Sequence, residues 1–72
     1  MSNDRLLTAY SLCKRYLPEH CPTLVDCYIE LYPYNKTMDR AFCKKLEEIA
    51  SHCVLDYDVF ISFDGRLIVM MQ

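Results

Sequence analysis

Asp64-Gly65 contains the only glycine of this 72-residue chain and stands between two runs rich in β-branched and aromatic residues. A dipeptide of this kind between apolar runs is the strongest short-range signal for a β-hairpin. The flanking runs are 56–63 and 66–72. The sequence therefore predicts a hairpin here, and its pairing register determines which side chains share a face.

Two registers are open for this hairpin. If Asp64-Gly65 forms a two-residue turn, Ile61 lies opposite Ile68. If Phe63-Asp64 forms a type I turn and Gly65 takes the left-handed bulge position, the register shifts by one residue. The second register is favoured because it separates apolar from polar residues more cleanly. It puts Tyr57, Val59, Ile61, Leu67, Val69 and Met71 on one face, and Asp58, Phe60, Ser62, Arg66, Ile68 and Met70 on the other.

Two amphipathic helices are predicted from apolar residues that recur at helical spacing. The first is capped by Asn3 or Asp4 and runs to about Leu17, where Pro18 stops it. The second runs from about Met38 to Cys53, with 35–37 ending the preceding strand and capping the helix. The apolar stripe is Leu6, Leu7, Tyr10, Cys13, Tyr16 and Leu17 in the first helix, and Phe42, Leu46, Ile49, Ala50 and Cys53 in the second.

Residues 24–34 permit either a strand or a helix. The content of β-branched and aromatic residues, together with Pro33, favours the strand. A helix would instead gather Leu24, Val25, Tyr28, Ile29 and Tyr32 into one stripe. The strand would place Val25, Cys27, Ile29 and Leu31 inward, and Asp26, Tyr28, Glu30 and Tyr32 outward.

The element order α-β-α-β-β predicts a single α+β domain over residues 1–72. Two helices would pack on one face of a three-stranded sheet that includes the C-terminal β-hairpin. The helix between the first and second strands predicts a parallel crossover if those strands are neighbours. Two helices cover one face of such a sheet, so the other face is expected to stay open.

The open face would show aromatic and methionine side chains inside a charged rim of Asp26, Glu30, Asp58 and Arg66, which is typical of a protein-interaction surface. We expect a small non-enzymatic protein-binding module, an inhibitor or adaptor, that occludes its partner. Its size alone suggests a viral, prophage or mobile-element origin. The alternative is a homodimer or other structural homo-oligomer that uses this face on itself or pairs hairpin edges. The expected interface residues are Tyr28, Glu30, Tyr32, Asp58, Phe60, Ile68 and Met70.

Five cysteines, at positions 13, 21, 27, 43 and 53, could indicate disulfides or a metal site. Their odd number and their places within apolar patterns predict reduced, mostly buried thiols. A thiol- or zinc-dependent regulator is the alternative, with His20-Cys21 and His52-Cys53 as ligands. These adjacent pairs lack the C-x₂₋₄-C spacing of structural zinc sites, so we expect neither metal nor cofactor. Both histidines are expected to be exposed at helix ends.

Composition limits the remaining functions. The net charge of −2 does not suggest the positively charged surface that direct binding of nucleic acid requires. No apolar run approaches the length of a membrane span, and no signal-peptide pattern is present, so a cytoplasmic protein without a membrane partner is expected. A chain this short seldom encloses a water-free pocket, and it has no Gly-rich phosphate loop, so catalysis is not expected.

The element order, with Glu30 on the first strand and a hairpin that reads Val59-Phe-Ile-Ser-Phe-Asp64, is similar to the small phage inhibitors of uracil-DNA glycosylase. That family has an α-β-α-β-β order with further strands. The likeness covers about residues 24–71 and includes no family motif, so no residue role or activity is transferred. It implies only that such a scaffold can present a strand and an apolar face to one host protein.

Overall fold

The computed structural model describes residues 2–33 and 38–72. It contains helices α1 (Ser2–Tyr16) and α2 (Arg40–Cys53), and one 3₁₀ turn at Pro18–His20. The strands are β1 (Thr23–Val25), β2 (Tyr28–Leu31), β3 (Tyr57–Ile61) and β4 (Leu67–Met71). All four pair antiparallel in one sheet, in the order β1-β2-β4-β3. The predicted α+β class is confirmed, whereas the prediction of three strands is wrong.

The additional strand arises because Asp26-Cys27 forms a turn within the segment that was predicted to be one strand. Val25 lies opposite Tyr28 across this turn. Asp26 has φ of 49°, in the left-handed region that Asp tolerates better than most residues. The alternation restarts after the turn, so Val25 shares a face with Tyr28 and not with Ile29. Cys27 is exposed. The predicted inward positions of Val25 and Cys27 are therefore wrong.

The last strand lies between two earlier ones. β2 and β3 are both antiparallel to β4, so they run parallel to each other without being neighbours. Helix α2 makes the connection between them. The condition for a directly paired parallel crossover is therefore not met, because β4 occupies the place between the two strands.

The C-terminal hairpin has the favoured register, with Val59 opposite Val69. Gly65 has φ of 85°, a left-handed conformation that glycine adopts without steric cost. Its N–H donates a 3.0 Å hydrogen bond to the carbonyl of Ser62. The Ser62 N–H in turn donates to the carbonyl of Arg66 at 2.6 Å. The prediction of a tight turn with Gly65 in the bulge position is confirmed.

The helix starts differ from the predicted ones. Helix α1 begins at Ser2, so Asn3 and Asp4 lie inside it and not at its cap. Helix α2 begins at Arg40, because the side chain of Asp39 accepts a 2.7 Å hydrogen bond from the N–H of Phe42 and caps the helix. The cap predicted within 35–37 lies outside the described residues. The predicted buried stripe of α2 is confirmed.

Both helices pack on the same side of the sheet. The core alternates along β2 and β4, and the helices supply the rest of it, although Leu7 and Tyr16 of the predicted first stripe are half exposed. Within the described ranges, neither helix has the length and apolar character needed to cross a membrane. The buried core consists of Leu6, Ala9, Cys13, Leu17, Ile29, Leu31, Phe42, Leu46, Ile49, Ala50, Cys53, Val69 and Met71.

Candidate interaction surface

The sheet side that carries no helix, here called the open face, is determined by the strand register. Side chains opposite each other on paired antiparallel strands point to the same side. Core residues Ile29, Leu31, Val69 and Met71 therefore define one side, and the alternating residues define the other. All seven predicted interface residues lie on the open face: Tyr28, Glu30, Tyr32, Asp58, Phe60, Ile68 and Met70.

Two tyrosines hold one carboxylate at the β1–β2 side of this face. The hydroxyl of Tyr28 donates to Oε2 of Glu30 at 3.2 Å, and that of Tyr32 donates to Oε1 at 2.7 Å. This is possible because residues two apart on a strand point the same way. The pKa of Tyr32 is raised mainly by its bond to Glu30, and that of Tyr28 mainly by desolvation, so both hydroxyls remain protonated donors. The Glu30 carboxylate is thus held by two tyrosine hydroxyls, one on each oxygen.

A methionine occupies the middle of the open face. Met70 lies opposite Glu30 on one side and opposite Asp58 on the other. Phe60 lies opposite Ile68 in the next pair, and 48% of Phe60 remains exposed. The centre of the face is therefore apolar and aromatic, with carboxylates on both sides of the methionine.

The rim of the open face is charged and well solvated. Nε of Arg66 lies 3.3 Å from Oδ2 of Asp64, and both side chains are more than half exposed. The pKa of Asp64 is lowered, chiefly because the hydroxyl of Ser62 donates to its carboxylate. Ion pairs this exposed contribute little to stability. Such charges influence the approach and orientation of a partner more than they hold the fold together.

Sequence reasoning missed two contributions to this surface. Strand β1 adds Thr23 and Val25 beside Glu30 and Tyr28. The signal available for this was the Asp26 turn, which carries neither glycine nor proline. Strand β3 is the second: from Asp58 to Ile61 its residues are exposed, including those on the side that the helices cover elsewhere.

His20 is buried, contrary to the prediction that both histidines are exposed. Its ring stacks on that of Phe42, because the 3₁₀ turn folds it against the start of α2. Burial lowers the pKa of His20, while the nearby carboxylates of Asp39 and Glu19 act in the opposite direction. The neighbouring Cys21 is exposed, so the two members of this pair have different surroundings.

The two members of the His52-Cys53 pair also differ in their exposure. His52 is exposed on the last turn of α2, whereas Cys53 is buried. Burial, reinforced by Cys53, raises the pKa of the Cys13 thiol to about 11. All five cysteines are free thiols. In the described part of the chain, no three His, Cys, Asp or Glu side chains gather where they could hold a metal ion.

A cleft of about 520 Å³ lies beside the open face, at the end of β2. Its walls combine the exposed thiol of Cys21, the ring of Tyr32 and the side chains of Pro33, Arg66 and Leu67. No histidine is among these described lining residues. Its volume lies within the range of about 300–1,000 Å³ that small-molecule sites occupy in proteins.

Comparison with known proteins provides no relative for this chain. No protein-family model matches it, and no curated protein or solved structure matches it significantly. The similarity to phage inhibitors of uracil-DNA glycosylase thus receives no support from these comparisons.

Proposed function

We propose that this protein is a small, cytoplasmic, non-enzymatic binding module, an inhibitor or adaptor that occludes a partner protein with its open face. The observation that carries the proposal is that both helices cover the same side of the sheet. Phe60, Ile68 and Met70 therefore have no covering element of their own among the described residues. Apolar groups of this kind within a polar rim are typical of recognition surfaces.

The chemistry of the face indicates what the partner should offer. Phe60 and Met70 supply the apolar anchors, since central aromatic and methionine side chains contribute much of the energy in many interfaces. Glu30 is held in place by its two tyrosines and loses little conformational freedom on binding. A partner with a shallow apolar pocket flanked by lysine or arginine would complement this arrangement.

Self-stacking of two open faces is the second candidate. A two-fold stack would bring the carboxylates of Glu30 and Asp58 close to their counterparts, on either side of Met70. Like charges brought together in a desolvated interface cost free energy. The carboxylates on either side of Met70 therefore favour a basic partner over a second copy in this position.

The test is affinity capture from cell lysate with three forms of the protein. The double variant Phe60→Ser/Met70→Ser removes the anchors, and Leu7→Ser removes an equally exposed apolar side chain from α1. Proteins retained by the wild type and by Leu7→Ser but lost with the double variant are the candidates. Each is then purified, and its Kd is expected to rise at least about tenfold for the double variant.

Two results would contradict the proposal. A purified partner that binds the double variant as tightly as the wild type would place the contact elsewhere. A double variant that has lost its cooperative thermal transition would show that Phe60 and Met70 are core residues and that the open face is not free. Thermal denaturation of all three forms, followed by circular dichroism, makes this distinction.

A further inference from the structure

Strand β3 forms one edge of the sheet and pairs only with β4 among the described strands. Asp56 and Gln72 exchange two backbone hydrogen bonds of 2.8 and 2.9 Å. In an antiparallel pair the direction of the backbone groups alternates along the strand. The N–H and C=O groups of Tyr57, Val59 and Ile61 therefore point away from β4, toward the free edge.

This edge lacks the usual protection against further pairing. Exposed edges are normally blocked by lysine, proline, a bulge or an inward-pointing charge. Strand β3 has none of these, and its single charged residue, Asp58, points to the open face. Val59 and Ile61 are 43% and 74% exposed on the opposite side. An unblocked, apolar five-residue edge is a template for another strand.

We propose that β3 pairs antiparallel with β3 of a second copy of this chain, about a two-fold axis through Val59. Val59 then faces its counterpart, and Tyr57 faces Ile61 of the second copy. All the outward backbone groups of these three residues are used, which makes six hydrogen bonds between the copies. The inference goes beyond the proposed function and does not depend on it.

The neighbouring registers are less favourable. An axis through Asp58 would set this carboxylate directly opposite its counterpart, which is destabilising. An axis through Phe60 would leave the outward groups of Tyr57 opposite the turn residue Phe63, so fewer bonds form within the strand. With the axis at Val59, Asp58 faces Phe60 of the second copy, and no like charges lie directly opposite each other.

The ends of the strand are also complementary in this register. Phe63 and Val54 are both exposed apolar residues, at opposite ends of β3. The two-fold axis brings Phe63 of one copy to the level of residues 54–55 of the other. It also places Arg66 on the same face as Asp56 of the second copy, two strand spacings or about 10 Å away, within reach of opposite charges on long side chains.

Pairing through one short strand buries little surface. We expect an area near or below the ~1,200 Å² that marks the lower end of stable interfaces, and hence a dimer with Kd in about the micromolar range. Because the axis is perpendicular to the sheet, both open faces lie on the same side of a continuous eight-stranded sheet. The dimer would therefore present two binding faces side by side.

Sedimentation velocity over about 1 to 500 μM tests the proposal. The sedimenting mass of the wild type should increase from that of a monomer to that of a dimer as the concentration rises. Val59→Lys and Val59→Glu each place like charges opposite each other at the two-fold axis. Both variants should therefore remain monomeric. Mixed in equal amounts, these two variants should recover the double mass. Leu7→Lys is the matched control on α1 and should dimerise like the wild type.

Hydrogen exchange of the wild type provides a readout that needs no substitution. The amides of residues 57, 59 and 61 should exchange at least several-fold more slowly at high concentration than at low concentration. A single-chain mass at every concentration would overturn the proposal. A dimer that survives Val59→Lys in folded form but dissociates with Met70→Ser would also overturn it, because the contact would then lie on the open face.

Discussion

The imidazole ring of His20 stacks on the ring of Phe42, with centroids 4.0 Å apart and planes 9° from parallel. This contact joins the 3₁₀ turn after α1 to the first turn of α2. Neither ring nitrogen has a hydrogen-bond partner among the described residues. A buried imidazole without partners resists protonation, and its pKa is lowered accordingly.

Acidification should therefore destabilise the protein through His20. The unfolded chain protonates near the ordinary pKa of about 6.5, while the folded chain protonates at lower pH. The contribution of neutral His20 to the free energy of unfolding is fully present above about pH 6.5. It decreases as the pH falls from the pKa of the unfolded state to the lower pKa of the folded state. Urea denaturation between about pH 8 and 5 measures this dependence.

Two variants isolate the contribution of His20. His20→Phe keeps the stack on Phe42 and removes the titrating group, so the decrease in stability attributable to this window should disappear. His52→Phe changes the exposed histidine at the end of α2 and should retain the decrease. If His20→Phe follows the same pH dependence as the wild type, the decrease has another origin.

The same substitution at two phenylalanines should have very different costs. Phe42 is 2% exposed within the core, so Phe42→Ala leaves a cavity and should cost about 3–5 kcal/mol. Phe60 is half exposed on the open face, and Phe60→Ala should cost no more than about 1 kcal/mol. Free energies of unfolding from urea titrations check both values. Equal costs would mean that Phe60 is enclosed by its own chain.

Gly65→Ala should destabilise the hairpin through its backbone alone. A Cβ at this position would meet nothing within 4 Å, but φ of 85° is strained for an L-residue. We expect a loss of about 1–2 kcal/mol in the free energy of unfolding. Gly65→Asn should cost less, because Asn tolerates left-handed conformations. An alanine variant as stable as the wild type would argue against this turn geometry.

Alkylation should distinguish the exposed thiols from the buried ones. Cys21 and Cys27 are exposed, whereas Cys13 and Cys53 are buried and the pKa of each is raised by burial. Brief treatment of the native protein with iodoacetamide should label the first two and spare the second two. Peptide mass spectrometry locates the labels, and urea should make all five reactive. Rapid native labelling of Cys13 would contradict the packing of α1 on α2.

The local sequence pattern was sufficient to predict the β3–β4 hairpin and the buried stripe of α2, because both depend on residues that are close together in the chain. Gly65, the single glycine, selected the bulged turn, and alternation then assigned each face of β3 and β4. The buried stripe of α2 followed from the helical spacing of its apolar residues, because the opposite side of that helix is polar and exposed to solvent. The seven predicted residues of the open face followed from this register and from the alternation along β2, whereas Thr23 and Val25 of β1 did not.

The misassigned features depend on contacts between distant segments. Asp26 adopts a left-handed turn without glycine, and the pairing of β1 with β2 compensates for the strain. The burial of His20 depends on Phe42, which lies 22 positions later in the chain (42 − 20). The exposure of both sides of β3 depends on where the helices end over the sheet. No local pattern of residues encodes these relationships.

The placement of β4 has a consequence for how the protein is made. This strand comes last in the described chain, yet it provides the hydrogen-bonding partner of both β2 and β3. Until residues 67–71 emerge from the ribosome, β3 has no partner strand and β2 can pair only with β1, so their apolar sides are open to chaperones and proteases. A premature stop codon before Leu67 should therefore yield a product that is degraded, not a shorter stable form.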